Sequence, residues 1–283
     1  MASAIRGALR LLKALLPITP AGTRGSASAT MPPTRISHTP FGDRAYVTAG
    51  SGTPTVVFES GLGDGKEVWG PVFRSLSKHA RVVAYDRAGY GQSSDSTEVR
   101  DGLQIVKELR AMLQTENMPA PYILVGHSLG GTVVKLFARM YPDEVAGVVL
   151  VDARAADFSK RCRHFGVKRM LYEPPLSWLM WGRSAARREL QAAPETQRQA
   201  RHAGTFPHVP LMVLTHRGFQ WPKSIAKVWA SSQRSMSRMS RHGHIKVCDD
   251  SGHHVHRDRP DLVAGAVLSV LNAARDIRSA HLL

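Results

Sequence analysis

The chain has 283 residues, of which 43% are hydrophobic and 21% are charged, an ordinary composition for a globular protein. This composition excludes a wholly disordered or collagen-like chain, and two cysteines, Cys162 and Cys248, are too few for a disulfide framework and lack metal-ligand spacing. A net charge of +16 favours anionic partners, but no zinc-finger, RNA-recognition or basic-zipper motif predicts specific nucleic-acid binding.

The first 42 residues contain no acidic side chain, and their apolar residues between positions 5 and 16 repeat at helical spacing. Three interpretations of residues 1–33 stay open: a targeting peptide, an amphipathic surface helix, or a dispensable extension before Met31. No run of 18 apolar residues predicts a membrane-spanning helix. We therefore expect a cytoplasmic protein whose membrane contact, if any, is peripheral and made by this basic segment and a basic central one.

Strand and helix patterns alternate along the chain from Ile36 onward. A short antiparallel pair is predicted at 36–38 and 45–48, around a turn at 41–43. Six further strands are predicted from apolar runs at 55–58, 81–85, 122–125, 145–151, 209–214 and 245–248. Helices are predicted from apolar spacing at 68–78, 103–113, 129–140, 225–239 and 261–275.

This alternation predicts one α/β domain over residues 34–283, with a mostly parallel twisted sheet and helices on both of its faces. Residues 153–206 hold no strand-like run and interrupt the alternation. In sheets of this kind, binding and catalytic residues follow the carboxyl ends of the strands. The polar residues at those positions are therefore the candidates for chemistry.

The sharpest motif is Gly126-His127-Ser128-Leu129-Gly130, which directly follows a predicted strand and begins a predicted helix. A serine at so tight a turn adopts a strained backbone, and side chains two residues to either side would clash, which explains Gly126 and Gly130. The turn exposes the Ser128 hydroxyl above the sheet. It also places the Leu129 N–H at a helix N-terminus, where it can bind a developing oxyanion.

In this context the chain resembles the α/β-hydrolase superfamily, and in particular its serine hydrolases of esterase and lipase type, over about residues 36–276. The resemblance implies a second oxyanion donor in the loop at 59–64, which by position is the Leu62 N–H. Residues 86–93 are similar to the family's DRxGxGxS loop, which is structural. Trp69 stands where the family often has an aromatic residue, and core packing is its alternative role.

A serine hydroxyl needs a base to become a nucleophile. Gly252 and His253, followed by Pro260, resemble the loop that carries the catalytic histidine in this family, so His253 is the predicted base. His254 and His256 are expected to be flanking surface or packing residues. His127, inside the serine motif, is expected to pack in the core.

The acid that orients the histidine departs from the family's common pattern. The family usually carries it just after the strand predicted at 209–214, yet no Asp or Glu occurs from Thr196 through Cys248. Asp152, at the end of the preceding strand, is the predicted substitute, since part of the superfamily uses that position. Asp250, three residues before His253, is the alternative.

Residues 153–206 lie where the family inserts a helical cap, and they contain 11 basic and four acidic residues beside many aromatic ones. An apolar pocket under this cap is predicted to bind the substrate. Its charges are either solvated or attract an acidic substrate or anionic lipid. The aromatic pocket candidates are Trp69, Trp178, Trp181 and Phe219.

The resemblance implies a hydrolase that cleaves an ester, or a related acyl bond, in a small molecule, with no cofactor and no metal. A thioesterase, a lactonase and a carbon–carbon bond hydrolase stay open as alternatives, as do a non-catalytic small-molecule receptor and a polyanion-binding protein. Haloalkane dehalogenases and epoxide hydrolases are disfavoured, because those branches have an aspartate where Ser128 stands. A peptidase is disfavoured by the basic cap.

Overall fold

A computed structural model describes residues 31–155, 158, 184–217 and 223–280. Within these residues, eight strands and seven α-helices alternate, as the sequence predicts. The strands are β1 (Arg35–Thr39), β2 (Gly42–Ala49), β3 (Thr55–Glu59), β4 (Val82–Tyr85), β5 (Tyr122–His127), β6 (Val145–Val151), β7 (Leu211–His216) and β8 (Gly243–Cys248). The helices are α1 (Gly70–Leu76), α2 (Gly102–Thr115), α3 (Leu129–Met140), α4 (Ala185–His202), α5 (Lys223–Ser237), α6 (Val255–Asp258) and α7 (Pro260–Ala280).

The eight strands form one sheet in the order β1-β2-β4-β3-β5-β6-β7-β8. The pairs β1–β2 and β2–β4 are antiparallel, and the other five pairs are parallel. Every residue of β3, β4 and β5 is buried, because helices cover both faces of the sheet. The predicted α/β fold with a mostly parallel sheet is therefore confirmed.

Successive residues of a strand enter two separate cores, one on each face of the sheet. On β5, Leu124 packs in a core with Leu109 of α2, whereas Ile123 and Val125 pack in a second core with Val267 of α7. The helix predicted at 68–78 is the one that differs from expectation. It divides into a 3-10 turn (Lys66–Trp69) and α1, with a proline in the first turn of α1, where its missing N–H costs no helical bond.

The predicted cap segment is described only in part. Its α4 packs against α2 and α3 at the edge of the first core, and 156–157 and 159–183 lie outside the described residues. The extension at 1–33 likewise lies almost wholly outside them, and β1 begins at Arg35. None of the helices in the described ranges is long and apolar enough to cross a bilayer.

Candidate active site

Ser128 occupies a strained turn between β5 and α3, with φ of +51° and ψ of −113°. A Cβ atom on Gly126 would lie 2.7 Å from the carbonyl oxygen of Gly130, and one on Gly130 would lie 2.3 Å from that of Glu59. Backbone atoms cannot move aside as a flexible side chain can. The turn therefore requires glycine at both positions, because any side chain there would clash with a backbone oxygen, as the sequence motif predicts.

Ser128, His253 and Asp152 come together above the carboxyl ends of the parallel strands. Oγ of Ser128 lies 3.1 Å from Nε2 of His253, and Nδ1 of His253 lies 2.6 Å from Oδ2 of Asp152. With the Nδ1–H donating to the carboxylate, Nε2 is left to accept a hydrogen bond from the hydroxyl. Asp152 is fully buried and His253 nearly so, so little water competes for these bonds.

The Asp152 carboxylate is held by three residues besides His253. Its Oδ1 accepts hydrogen bonds from the Thr215 hydroxyl at 3.0 Å, the His216 backbone N–H at 3.2 Å and the Trp229 indole N–H at 3.2 Å. Its Oδ2 lies 2.8 Å from Nδ1 of His216. This many donors fix the orientation of the carboxylate, and hence that of the imidazole that it contacts.

The same contacts keep Asp152 ionised. Burial by itself would raise the pKa of this carboxyl, but hydrogen bonding and charge interactions with His216 and His253 outweigh it, and the pKa falls below its usual range. Asp250, the alternative acid, has a side chain that is 83% exposed and pairs with Arg259 at 3.6 Å. Asp152 is therefore the carboxylate that contacts His253.

Sequence reasoning missed Thr215, His216 and Trp229. Because no acidic residue follows β7, the place where the family usually has its acid, the other polar residues at that position are easily overlooked. The signal was present in the two polar residues that end a buried strand next to β6. Trp229 lies on α5 and gave no such signal, because tryptophan at helical spacing is typical of core packing.

The loop after β3 is held in place by side chains of the DRxGxGxS segment. The guanidinium of Arg87 donates to the carbonyl oxygens of Ser60 at 2.7 Å and Gly61 at 2.8 Å. The hydroxyl of Tyr90 accepts from the Gly63 N–H at 3.3 Å. The backbone is thus fixed on both sides of residue 62, the predicted oxyanion donor.

Arg87 also connects this loop to the cap segment. It donates two hydrogen bonds of 2.8 Å to Glu189 on α4 and one of 2.7 Å to Glu59 at the end of β3. All three side chains are buried. Burial would lower the pKa of Arg87, but Glu189 and Glu59 raise it, so the guanidinium stays charged. One buried cation therefore couples the cap helix to the loop.

The other predicted site residues differ in their surroundings, and some of them lie outside the described residues. Leu129 is the first residue of α3, where a backbone N–H has no partner within the helix. Trp69 is fully buried, stacks on Phe58 with ring centroids 4.8 Å apart, and donates its indole N–H to Ser60 at 3.0 Å. Trp69 is thus a buried core residue, which is the alternative role expected from the sequence. Trp178, Trp181 and Phe219 lie outside the described residues.

A sequence model of the alpha/beta hydrolase family matches residues 56–266. The chain belongs to the α/β-hydrolase family. It is 28% identical to the Bacillus subtilis (strain 168) protein YqjL over 228 residues, which are 80% of this chain and 86% of that protein. It is 33% identical to the mouse 1-acylglycerol-3-phosphate O-acyltransferase ABHD5 over 132 residues, which are 42% of this chain and 35% of that protein.

Solved structures of two enzymes share the fold. A thermophilic esterase from Thermogutta terrifontis aligns with a TM-score of 0.59 at 21% identity, over 86% of this chain and 99% of that one. A variant of the haloalkane dehalogenase DbeA from Bradyrhizobium elkanii aligns with a TM-score of 0.68 at 14% identity, over 88% and 99%. At such low identity the likeness concerns the fold, and the chemistry has to be argued from the site.

Proposed function

We propose that this protein is a serine hydrolase that cleaves a carboxylic ester, or a related acyl bond, through an acyl-enzyme intermediate. The observation that supports this most directly is the chain of contacts from Ser128 through His253 to Asp152. A hydroxyl, an imidazole and a buried carboxylate in that order are the parts that nucleophilic catalysis by serine needs.

The reaction follows from this geometry. As the Ser128 oxygen attacks the ester carbonyl carbon, its proton passes to Nε2 of His253, and Asp152 stabilises the resulting imidazolium. The negative charge on the carbonyl oxygen is bound by the backbone N–H groups of Leu129 and Leu62. His253 then gives its proton to the departing alcohol, which leaves the acyl group on Ser128.

Water completes the cycle. His253 removes a proton from the attacking water, the second tetrahedral intermediate collapses, and the acid leaves as Ser128 recovers its proton from His253. The dehalogenase likeness does not favour halide displacement, because that branch of the family has an aspartate where this chain has Ser128. The esterase among the structural neighbours agrees with the proposed reaction class, although its fold alone does not establish it.

The first test is labelling by a fluorophosphonate probe, which reacts with an activated serine whatever the natural substrate is. We expect wild-type protein to be labelled with one equivalent and Ser128→Ala to show none. Ser77→Ala is the matched control, because the hydroxyl of that half-buried serine donates to the Arg74 carbonyl oxygen of its own helix, 3.0 Å away. Absence of label on folded wild-type protein would favour the small-molecule receptor.

A second test identifies the bond that is cleaved. p-Nitrophenyl esters of increasing acyl length, an acyl thioester and a lactone would be compared by kcat/KM at pH 7.5. We expect the carboxylic esters to be the best substrates. A thioester or lactone preferred by more than about 100-fold, equivalent to about 2.7 kcal/mol in the transition state, would reassign the enzyme to that class.

A further inference from the structure

Three buried side chains with metal-ligating atoms lie close together near His253, whose backbone carbonyl oxygen is 3.0 Å from Nε2 of His127. They are Asp64, His127 and His256, and their ligating atoms lie within 4.8 Å of one another. Each comes from a different part of the chain: the loop after β3, the last residue of β5, and α6. Their relative exposures are 7%, 1% and 0%, so bulk water does not supply hydrogen bonds to their polar atoms.

The ring orientation of His127 is fixed by one hydrogen bond. Its Nε2 lies 3.0 Å from the carbonyl oxygen of His253, so this nitrogen carries the proton and donates. The lone pair is therefore on Nδ1, which lies 3.8 Å from Oδ2 of Asp64 and has no hydrogen-bond partner among the described residues. A backbone carbonyl that orients a histidine in this way is typical of metal-ligating imidazoles.

His256 is the least expected of the three. Its ring packs at 4.4 Å from that of His127 and at 4.7 Å from that of Trp69, between centroids. Neither ring nitrogen has a hydrogen-bond partner within the described ranges. Buried polar groups almost always have a hydrogen-bond partner, so a buried imidazole without one indicates a ligand.

Asp64 supplies the negative charge. Its Oδ1 accepts a hydrogen bond of 2.5 Å from Arg257, which orients the carboxylate with Oδ2 toward His127. The free oxygen of this carboxylate completes a set of two imidazoles and one carboxylate whose donor atoms lie within 4.8 Å of one another.

We propose that Asp64, His127 and His256 bind one divalent transition-metal ion, of which zinc and cobalt are the best matches. Two imidazole nitrogens and one carboxylate oxygen suit these ions, whereas calcium and magnesium prefer all-oxygen sites. Donor atoms around tetrahedral zinc lie about 3.4 Å apart, given zinc–ligand distances of about 2.0–2.1 Å. The 3.8 Å between Nδ1 of His127 and Oδ2 of Asp64 is close to that value, and the ligating atoms of all three residues lie within 4.8 Å of one another.

The bound ion would join three segments that position the reacting groups. Asp64 is the last residue of the predicted oxyanion loop, His127 precedes Ser128, and His256 lies on the helix that follows His253. No ligand in this set takes part in the proposed proton transfers. The ion therefore stiffens the site and takes no step in the reaction, and the proposal holds whether or not the substrate is an ester.

Binding is measured on the full chain, purified without a polyhistidine tag and stripped with a chelator. Cobalt titrated at pH 7.5 is expected to saturate at one equivalent, with the intense visible bands of four-coordinate cobalt, and zinc is expected to displace it. The melting temperature is expected to rise with zinc concentration, as for any ligand that binds only the folded state. Saturation at one equivalent followed by loss of the bands on adding chelator would complete the assignment.

Variants locate the ion. Asp64→Asn and His256→Gln are each expected to weaken cobalt binding by at least about 100-fold and to abolish the four-coordinate bands. His254→Gln is the matched control, because its ring also packs near His127, at 5.4 Å, but belongs to no ligand set, and it should bind as wild type does. Wild-type protein that binds no cobalt at one equivalent overturns the proposal, as does binding that both variants retain.

A measurement on the wild type alone covers the case in which His256→Gln does not fold. Crystals soaked in zinc are expected to show an anomalous-difference peak between the Asp64, His127 and His256 side chains. A map with zinc only at surface histidines, and none at this position, would overturn the proposal.

Discussion

Nδ1 of His216 lies 2.8 Å from Oδ2 of Asp152, the oxygen that also contacts His253. His216 ends β7, next to the position at which α/β-hydrolases usually carry the acid of the site. In the proposed mechanism the acid is Asp152, which follows the neighbouring strand β6, and His216 contacts it.

Asp152→Asn is expected to lower kcat by about four orders of magnitude, because the amide no longer selects the productive tautomer of His253. The measurement is steady-state hydrolysis of the best p-nitrophenyl ester. Asp250→Asn is the control, since that exposed carboxylate makes no contact with His253 in the structure. Full activity in Asp152→Asn with loss in Asp250→Asn would reverse the assignment.

His216 is expected to act as a positioning residue, through Asp152. Removing it in His216→Ala takes away a hydrogen-bonding group from a charged partner, which is worth about 1.5–3 kcal/mol and so about 10- to 100-fold in kcat. KM should change little, because the side chain is buried against Asp152 and acts through it. His216→Asn, which keeps a donor near the carboxylate, should recover part of the loss. Equal effects of both substitutions on KM alone would instead place His216 in the substrate pocket.

Glu189→Gln tests the coupling between the cap helix and the loop after β3. It leaves the buried Arg87 without its bidentate partner, which is expected to cost about 3 kcal/mol in the free energy of unfolding, measured by urea denaturation at pH 7. Labelling by the fluorophosphonate should also slow by about tenfold or more, because the Leu62 N–H loses its fixed position.

The matched control for Glu189 lies on the same helix. The Glu195 side chain is 42% exposed and pairs with Arg198 and Gln199 of α4, so Glu195→Gln should leave both the unfolding curve and the labelling rate unchanged. If Glu189→Gln lowered stability but left labelling untouched, the network would hold the cap without positioning the loop.

The close packing of the turn at Ser128 predicts that a side chain at Gly130 destabilises the protein. Gly130→Ala would place a methyl group 2.3 Å from the Glu59 carbonyl oxygen, which is expected to destabilise the protein by about 1–3 kcal/mol and to abolish labelling. Gly265→Ala on α7 meets no atom within 4 Å and should stabilise by about 0.5–1 kcal/mol, as alanine does inside a helix. Comparable unfolding midpoints for the two variants would contradict the geometry.

The thiol of Cys248 gives a prediction that depends on pH. Cys248 is buried, and burial raises the pKa of its thiol above the usual value of 9. A raised pKa means less thiolate at pH 8, so in Cys162→Ser protein the reaction with a disulfide reagent should be at least about 100-fold slower in the native state than in denaturant. Fast labelling of native protein at pH 8 would show that this end of β8 opens readily.

The sequence by itself determined the fold and the serine. Apolar runs alternating with helical spacing are local patterns, and each one lies on a strand or helix of the structure. The glycines around Ser128 are local as well, because the atoms that a side chain would meet there belong to the turn and to the strand beside it. These features need no knowledge of how distant segments pair.

The tertiary structure decided everything that depends on contacts between strands. The β6–β7 register pairs Val151 with Leu214, and it is this pairing that carries Asp152 to the side chains that end β7. The choice of Asp152 over Asp250 and the contacts of His216 follow from this pairing, whereas the burial of His256 follows from the packing of its ring against His127 and Trp69. A linear sequence does not encode the register of parallel strands locally, since the partners are joined through long crossovers and meet only when both faces of the sheet are packed.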